Sequence, residues 1–283
     1  MTNTIKIGWI GLGTMGIPMS RHLLKAGFPV LVYNRNKEKE VSLIQDGADK
    51  APNPADLIKR SDVVILMVTD DNAIREIFTG KDGLLGDKTS GKFIINMSTV
   101  SPDISREMAT LCTARGNHYI DAPVSGSVKQ AEEAQLVIMV GGEETVFQQV
   151  KPILEKLGKM AMLVGPTGAG NTAKLAINTL LAIHAQGLAE TVAFAKKNGI
   201  GTEELLTLIG NSALGNPLIK IKGEALVTQN FKAAFALKNI AKDLRLAKDL
   251  GLNSPLANTA AQTFQAAEPA LGEEDIIAIF KTL

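Results

Sequence analysis

A glycine-rich turn near the start of the sequence carries its clearest chemical pattern. Gly11, Gly13 and Gly16 form a G-x-G-x-x-G motif directly after the largely apolar run at residues 5–10. Such glycines permit a tight turn, close approach of the backbone to a pyrophosphate and close packing of helix on strand, and the helix start binds the phosphates. A glycine turn without a ligand is the alternative, but the strand pattern before it and the amphipathic stretch at residues 15–26 favour a dinucleotide site. The residues predicted to contact this dinucleotide are Gly11, Leu12, Gly13, Met15 and Gly16.

The residues after the second predicted strand indicate which dinucleotide is bound. Val30–Tyr33 is that strand, and Asn34 and Arg35 follow it, where an NAD site usually has Asp or Glu for the adenosine ribose. No carboxylate stands at this position to repel a 2′-phosphate, and a guanidinium can bind the phosphate in a bidentate fork. A solvated basic turn that includes Lys37 and Lys39 is the alternative. Together with the glycine motif, the pattern predicts NADP (NADPH) as the cofactor.

A second glycine-rich segment, at residues 165–170, precedes a long helical pattern. Its G-x-x-x-x-G spacing resembles a phosphate loop, but Asn171 stands where that motif requires Lys, which excludes a nucleotide triphosphatase. Lys174 and Asn178 lie four residues apart and share one helix face, so the amide can orient the ammonium group. A solvated surface lysine is the usual alternative. Against it, no other charged residue follows Lys174 until Glu190.

Two further polar segments and three histidines are the remaining candidates for binding or catalysis. The stretch at residues 121–127 ends a predicted strand with small residues and exposed N–H groups, which suits a carboxylate, although an ordinary turn has the same composition. Val68, Thr69 and Thr99 lie at the carboxyl ends of predicted strands, where doubly wound sheets bind ligands. The three histidines are too scattered for a metal site, so no metal is expected.

The elements that would position these residues divide the chain into two parts. Strand and helix patterns alternate up to about residue 165, and only helical patterns are expected from Gly168 onward. The later predicted strands are Val63–Val68, Phe93–Met97, His118–Ala122, Leu136–Val140 and Ala161–Val164. The predicted helices include 102–115, 143–157, 171–197, 203–210, 218–227, 237–250, 255–267 and 273–282. We therefore expect an α/β fold with a Rossmann-type doubly wound sheet in a domain at 1–165, followed by an all-α domain at 166–283 joined by a long helix.

Composition limits the classes of protein that this sequence can represent. The 283 residues are 45% hydrophobic and 21% charged, which describes an ordinary globular protein. A net charge of +1 predicts no nucleic-acid partner, and one cysteine supports neither a disulfide framework nor a cysteine metal cluster. The least polar stretch, at 175–195, contains polar residues typical of a helix buried in protein, so we expect no membrane partner and a cytoplasmic location. Its apolar character predicts a homodimer or a tetramer of such dimers.

Four ordered blocks give the sequence a resemblance to the β-hydroxyacid dehydrogenase family. They are the turn at 11–16, the block at 121–126, the block at 168–178 and Lys242-Asp243-Leu244, and together they extend over essentially the whole chain. The resemblance implies that Lys174 is the catalytic lysine with Asn178 as its partner. It also implies that Ser125, Gly126 and Ser127 bind the substrate, and that Thr99 and Lys242 contact the cofactor.

Three residues depart from the usual pattern of this family. Ile177 replaces the first of two adjacent asparagines, Ser127 replaces a glycine, and Asp70 replaces a frequent proline. The serine is typical of the glyoxylate and succinic semialdehyde reductase branch. These differences leave the class of reaction unchanged, but they affect which substrate is expected.

The function implied is an NADPH-dependent reductase of short aldehyde or keto acids such as glyoxylate, succinic semialdehyde or tartronate semialdehyde. Hydride transfer to a carbonyl develops negative charge on oxygen, and the Lys174 ammonium would stabilise that charge and donate the proton. Oxidation of 3-hydroxyisobutyrate is an alternative that Arg35 disfavours. A non-catalytic dinucleotide-binding protein is an alternative of another class that the presence of Lys174 and Asn178 disfavours.

Overall fold

The computed structural model describes residues 4–86 and 88–283, and it divides the chain into two compact units. Unit 1 is Met1–Lys174 and unit 2 is Leu175–Leu283. The strands of unit 1 are β1 (Ile7–Ile10), β2 (Val30–Tyr33), β3 (Asp49–Lys50), β4 (Val63–Leu66), β5 (Phe93–Asn96), β6 (His118–Asp121), β7 (Val124–Ser125), β8 (Leu136–Gly141) and β9 (Gly158–Gly165). Its helices are α1 (Gly16–Lys25), α2 (Val41–Gln45), α3 (Pro54–Arg60), α4 (Asp71–Thr79), α5 (Pro102–Thr113), α6 (Val128–Glu132) and α7 (Glu144–Leu154), with a 3₁₀ helix at Lys37–Glu40.

The sheet of unit 1 has the order of a doubly wound dinucleotide-binding domain. The strands β3-β2-β1-β4-β5-β6 are parallel neighbours, which is the classical Rossmann arrangement. Beyond them, β8 pairs antiparallel with β6 and β7 and parallel with β9. The predicted α/β fold class is therefore confirmed.

Strand β4 shows why the sheet is covered on both faces. Val63 and Ile65 lie in one hydrophobic core, while Val64 and Leu66 lie in the core on the opposite face. All four side chains are at most 3% exposed. A strand with two buried faces reads as a continuous apolar run, which is the pattern of parallel sheets covered by helices.

The register of the parallel strands brings their carboxyl ends to one edge. Ile10 at the end of β1 is level with Tyr33 in β2 and Leu66 in β4. Leu66 is level with Asn96, and Asn96 with Asp121. The loops that follow these residues therefore emerge at the same edge of the sheet, which is where such folds bind ligands.

Unit 2 is helical. Helix α8 (Ala169–Lys197) starts two residues before the predicted position and continues across the boundary between the units. The helices that follow are α9 (Thr202–Gly210), α10 (Pro217–Thr228), α11 (Leu237–Asp249) and α12 (Pro255–Leu271), with a 3₁₀ helix at Ile276–Thr282. No helix in residues 4–86 and 88–283 is long and apolar enough to cross a membrane.

The structure differs from the sequence-based prediction at residues 273–282, where a helix was expected. Glu274 and Asp275 form isolated β-bridges with Lys232 and Ala236, and the helix that follows is a short 3₁₀ helix. The cause is a buried ion pair, because Lys222 Nζ lies 2.7 and 2.8 Å from the two carboxylate oxygens of Asp275. The same carboxylate also accepts three backbone N–H bonds, from Ala234, Phe235 and Ile277. These contacts hold Glu274 and Asp275 extended, so the helix predicted from residue 273 begins only at Ile276 and is a 3₁₀ helix.

Candidate cofactor and substrate site

The glycine turn between β1 and α1 has the geometry that its sequence predicts. Gly11 adopts a φ of +99°, a conformation that favours glycine, and Trp9 Nε1 donates to its carbonyl over 2.9 Å. A Cβ atom on Gly16 would clash with that same carbonyl. At Gly13, by contrast, no other atom lies within 4 Å of where a Cβ would stand. The space beside Gly13 is therefore open for a phosphate, while Gly11 and Gly16 allow the turn to pack closely against its neighbours. These residues fit a dinucleotide.

Asn34 links this turn to the end of β2. Its Oδ1 accepts a hydrogen bond of 2.9 Å from Leu12 N, and its Nδ2 donates to Asn36 O over 2.8 Å. The side chain thereby fixes the backbone of the glycine turn. Arg35, the next residue, is exposed to solvent. Its guanidinium is the predicted contact for a 2′-phosphate.

Glu40 is a residue near the predicted adenosine site that the sequence analysis missed. It is only 3% exposed, and its Oε1 accepts from Asn34 N over 2.8 Å and from Lys37 Nζ over 2.9 Å. Lys37 Nζ also lies 4.1 Å from the centre of the Tyr33 ring. Burial, and then the nearby Glu40 carboxylate, raise the pKa of Tyr33. The Lys37–Glu40 spacing of three residues at a helix start was the available signal.

Two loops at the same sheet edge hold the other predicted cofactor residues. Val68 N donates to Ser98 Oγ over 2.9 Å, which ties the loop after β4 to the loop containing Thr99. Thr69 Oγ1 donates to Asp70 Oδ2 over 2.8 Å, and Asp70 Oδ1 caps helix α4 by accepting from Ala73 N. The cap explains why an aspartate suits this position, since it satisfies an N–H that the helix leaves unpaired.

Strand β6 ends at Asp121, a residue for which the sequence alone indicates no individual role. Its buried carboxylate accepts from Gly168 N over 2.6 Å and from Asn171 N over 2.8 Å. Burial raises the pKa of Asp121, and the backbone N–H bonds partly offset that rise. Asp121 thus caps the start of α8, the helix that carries Lys174.

The predicted substrate residues follow directly after Asp121. Ser125 ends β7 and is half-buried, and Gly126 has a φ of +137°, in the region that favours glycine. Ser127 N and Ser127 Oγ both donate to Gln130 Oε1, over 2.8 and 2.5 Å. The Ser127 hydroxyl proton is therefore directed at the start of helix α6, and only its oxygen lone pairs remain for a substrate.

Lys174 lies in the second turn of α8 and is only 8% exposed. Lysines are rarely buried to this degree without a partner or a function. The alternative of a solvated surface lysine is therefore wrong. The burial agrees with a lysine whose ammonium serves a specific site.

In unit 2, Asp243 connects two of the predicted site residues. Asn178 Nδ2 donates to Asp243 Oδ2 over 2.5 Å, and Lys242 Nζ lies 3.2 Å from Asp243 Oδ1. Asn178 and Asp243 are 1% and 2% exposed. Asp243 had no role among the residues predicted from the sequence. The signal was a lone carboxylate among the buried apolar positions of amphipathic helix α11.

Histidines and acidic residues show no metal site in the part of the chain that the structure describes. No group of three or more His, Cys, Asp or Glu side chains there could hold a metal ion. His22 Nε2 instead contacts the carbonyl oxygens of Ala131 and Glu132. His118 stacks on Phe93 with ring centres 4.9 Å apart.

The sheet order and the open glycine turn define a dinucleotide-binding fold, and comparison with known proteins specifies the family. The NAD binding domain of 6-phosphogluconate dehydrogenase matches residues 6–165. The family model described as NAD-binding of NADP-dependent 3-hydroxyisobutyrate dehydrogenase matches residues 168–283. The chain belongs to the β-hydroxyacid dehydrogenase family, and it is a nicotinamide-dependent oxidoreductase that acts on CH–OH groups.

Three relatives illustrate the extent of the match. Glyoxylate/succinic semialdehyde reductase 1 of Arabidopsis thaliana is 34% identical over 99% of this chain and 98% of its own length. The structure of Mycobacterium tuberculosis 3-hydroxyisobutyrate dehydrogenase with L-serine has a TM-score of 0.90 at 28% identity, over 99% of both chains. A structure described as Psf3 in complex with NADP+ and 2-OPP also has a TM-score of 0.90, at 26% identity over 98% of this chain and 99% of that one.

Proposed function

We propose that this protein is an NADPH-dependent reductase of short aldehyde or keto acids. The observation that carries the proposal is the burial of Lys174 on a helix whose start is capped by Asp121, at the ligand-binding edge of the sheet. The 34% identical glyoxylate/succinic semialdehyde reductase supports the substrate class. Glyoxylate, succinic semialdehyde and tartronate semialdehyde are the candidate substrates.

Residues of unit 1 bind the cofactor and the substrate. The nicotinamide, when bound, supplies the hydride. The Gly11–Gly16 turn binds the pyrophosphate through its backbone N–H groups from Gly13 onward, because those of Gly11 and Leu12 are engaged by Tyr33 and Asn34. Arg35 binds the 2′-phosphate, and Val68, Thr69 and Thr99 line the nicotinamide side. Ser125 and Gly126 bind the substrate carboxylate, and Ser127 Oγ accepts a hydrogen bond from the hydroxyl group of the reduced product. These last groups orient the carbonyl for hydride transfer.

Lys174 acts on the oxygen of the substrate carbonyl. Its ammonium stabilises the negative charge that develops there and donates the proton that completes the hydroxyl group. Asn178 follows four residues later on α8, and its Nδ2 is engaged by Asp243, so its carbonyl Oδ1 is the atom that orients the ammonium. Lys242, fixed by the same Asp243, contacts the cofactor.

A substrate panel tests the proposal. NADPH oxidation is measured with each of the three candidate acids, and NADP⁺ reduction is measured with 3-hydroxyisobutyrate, with Lys174→Met as the control for residual activity. We expect steady NADPH oxidation by at least one carbonyl acid and slower oxidation of 3-hydroxyisobutyrate. Faster turnover of 3-hydroxyisobutyrate would support the oxidative alternative, and NADPH binding without any turnover would support the binding-only alternative.

Exposed apolar side chains on helix α8 indicate that the protein self-associates. Ile177, Leu180 and Phe194 on this helix are 41%, 54% and 69% exposed in the single chain, which leaves a large apolar surface in contact with water. We expect a homodimer, or a tetramer of such dimers, and Leu180→Asp with Phe194→Asp should lower the mass measured by light scattering. A wild-type mass equal to that of the 30.0 kDa chain at micromolar concentration would contradict this.

A further inference from the structure

We propose that Asn171 is a positioning residue that fixes Lys174 relative to the loop containing Thr99. This inference rests on the proposed function, because it assigns Asn171 to the proton-transfer step of that reaction. Asn171 is completely buried and stands three residues before Lys174, in the first turn of α8. A fully buried amide keeps its place only where its donors and acceptor find partners.

The side chain and backbone of Asn171 make contacts in three directions. Its Oδ1 accepts from Val100 N over 3.0 Å, and its Nδ2 donates to Ser105 Oγ over 3.2 Å. Its backbone N donates to Asp121 Oδ2 over 2.8 Å. One residue thus connects the start of α8 to the loop after β5, to helix α5 and to the end of β6.

These contacts continue through buried side chains to the first cofactor loop. The Tyr119 hydroxyl lies close to Ser105, and Asn96 Nδ2 donates to Tyr119 Oη over 3.0 Å. Asn96 Oδ1 accepts from Ser98 N over 3.1 Å, and Ser98 Oγ accepts from Val68 N. The loops that contain Val68 and Thr99 are therefore held by the same buried network as the helix that carries Lys174.

The chemistry of this position calls for an amide side chain. The buried N–H of Val100 needs a hydrogen-bond acceptor, and Ser105 Oγ accepts a hydrogen bond from a donor. A carboxamide supplies the acceptor and the donor from one side chain. Alanine at this position would leave the Val100 N–H unpaired and would free the first turn of α8 to shift. Because proton and hydride transfer depend on distances between reacting atoms, a displacement of about 1 Å costs on the order of 10²-fold in rate.

Asn117 provides a matched control. It is also a buried asparagine in unit 1, and its side chain likewise accepts from a backbone N–H (Lys92 N, 2.9 Å) and donates once (to Thr89 O, 3.0 Å). However, Asn117 directly precedes β6, and its partner Lys92 directly precedes β5. Both residues therefore lie at the amino ends of these strands, at the sheet edge opposite the one that holds Asn171. Asn117→Ala therefore removes a similar pair of bonds without touching the network around Lys174.

The experiment compares Asn171→Ala and Asn117→Ala at a temperature where thermal melts show both variants folded. The measurements are kcat, KM, the NADPH Kd and the rate at which an amine-modifying anhydride labels Lys174 across a pH range, read by mass spectrometry. For Asn171→Ala we expect kcat to fall about 10–100-fold with little change in the NADPH Kd, and Lys174 to be labelled faster. Ser105→Ala removes the Nδ2 contact but leaves the bond from Val100 N to Asn171 Oδ1 in place, so it should change both quantities in the same direction but less.

The labelling measurement keeps this inference separate from the proposed function. If the wild type reduces no acid in the panel, the proposed function fails, but faster labelling of Lys174 in Asn171→Ala, relative to Asn117→Ala, still supports the positioning role. Labelling and kcat that match those of Asn117→Ala would overturn it. If Asn171→Ala does not fold, Ser105→Ala decides by the same two criteria.

Discussion

Replacing Lys174 with methionine is expected to lower kcat by roughly 10²–10⁴-fold, the usual contribution of one acid or electrostatic group. Methionine has a similar length and fits a position that is 8% exposed. The variant should therefore fold, because it exchanges a buried charge for an apolar group. The NADPH Kd should change little, since the phosphates are bound by Gly11–Gly16 and Arg35. The measurement is kcat beside the NADPH Kd and the melting temperature.

Lys174→Arg serves as the matched control for charge. It keeps the positive charge, but a guanidinium is wider and is a poor proton donor. Activity should therefore stay well below that of the wild type. If Lys174→Met kept near wild-type turnover, the lysine would take no part in proton transfer and the mechanism would fail.

Replacing Arg35 with aspartate is expected to reverse the cofactor preference. The wild type should prefer NADPH over NADH, because the exposed guanidinium can make charge-assisted hydrogen bonds to the 2′-phosphate. Loss of these bonds, at about 1.5–3 kcal/mol, together with new repulsion, should weaken NADPH binding by about 10–100-fold or more. Binding of NADH should be unchanged or improved, since a carboxylate there can accept from the ribose hydroxyls. The Kd values of both cofactors measure the effect.

Lys39→Asp is the control for a general change of charge in the same turn. Lys39 is also exposed, and its replacement makes the same change in net charge. It should weaken NADPH binding much less than Arg35→Asp. A wild type that used NADH as efficiently as NADPH would show that Arg35 has been assigned the wrong role.

The sequence predicted the fold class well because the strands β1, β2, β4, β5 and β6 are short apolar runs separated by amphipathic helices. A strand buried on both faces, such as Val63–Leu66, has a pattern that local composition alone specifies. The family could be predicted for a related reason. Each of its four motifs is an uninterrupted stretch of sequence, and the four occur along the chain in the order typical of the family. The domain boundary at 165/166 and the roles of the site residues stay predictions.

What sequence reasoning missed depends on contacts between distant residues. Asp121 caps a helix that begins more than forty residues later, and Asp275 pairs with Lys222 across a separation of 53 residues. Asp243 lies 65 residues from Asn178. No local pattern indicates such pairs, because the partner of a buried carboxylate is chosen by the tertiary fold. Glu40 differs, since its partner Lys37 is nearby and the i, i+3 pair could have been recognised.

The most direct test of the central claim is the transfer of deuterium from NADPH to a product. NADPH deuterated at the transferable position of the nicotinamide C4 is incubated with the wild-type protein and with glyoxylate or succinic semialdehyde, and the products are analysed by mass spectrometry. We expect one deuterium on the hydroxyl-bearing carbon of the product from at least one acid, and a much slower transfer by Lys174→Met. Bound NADPH without deuterium in any product would contradict it.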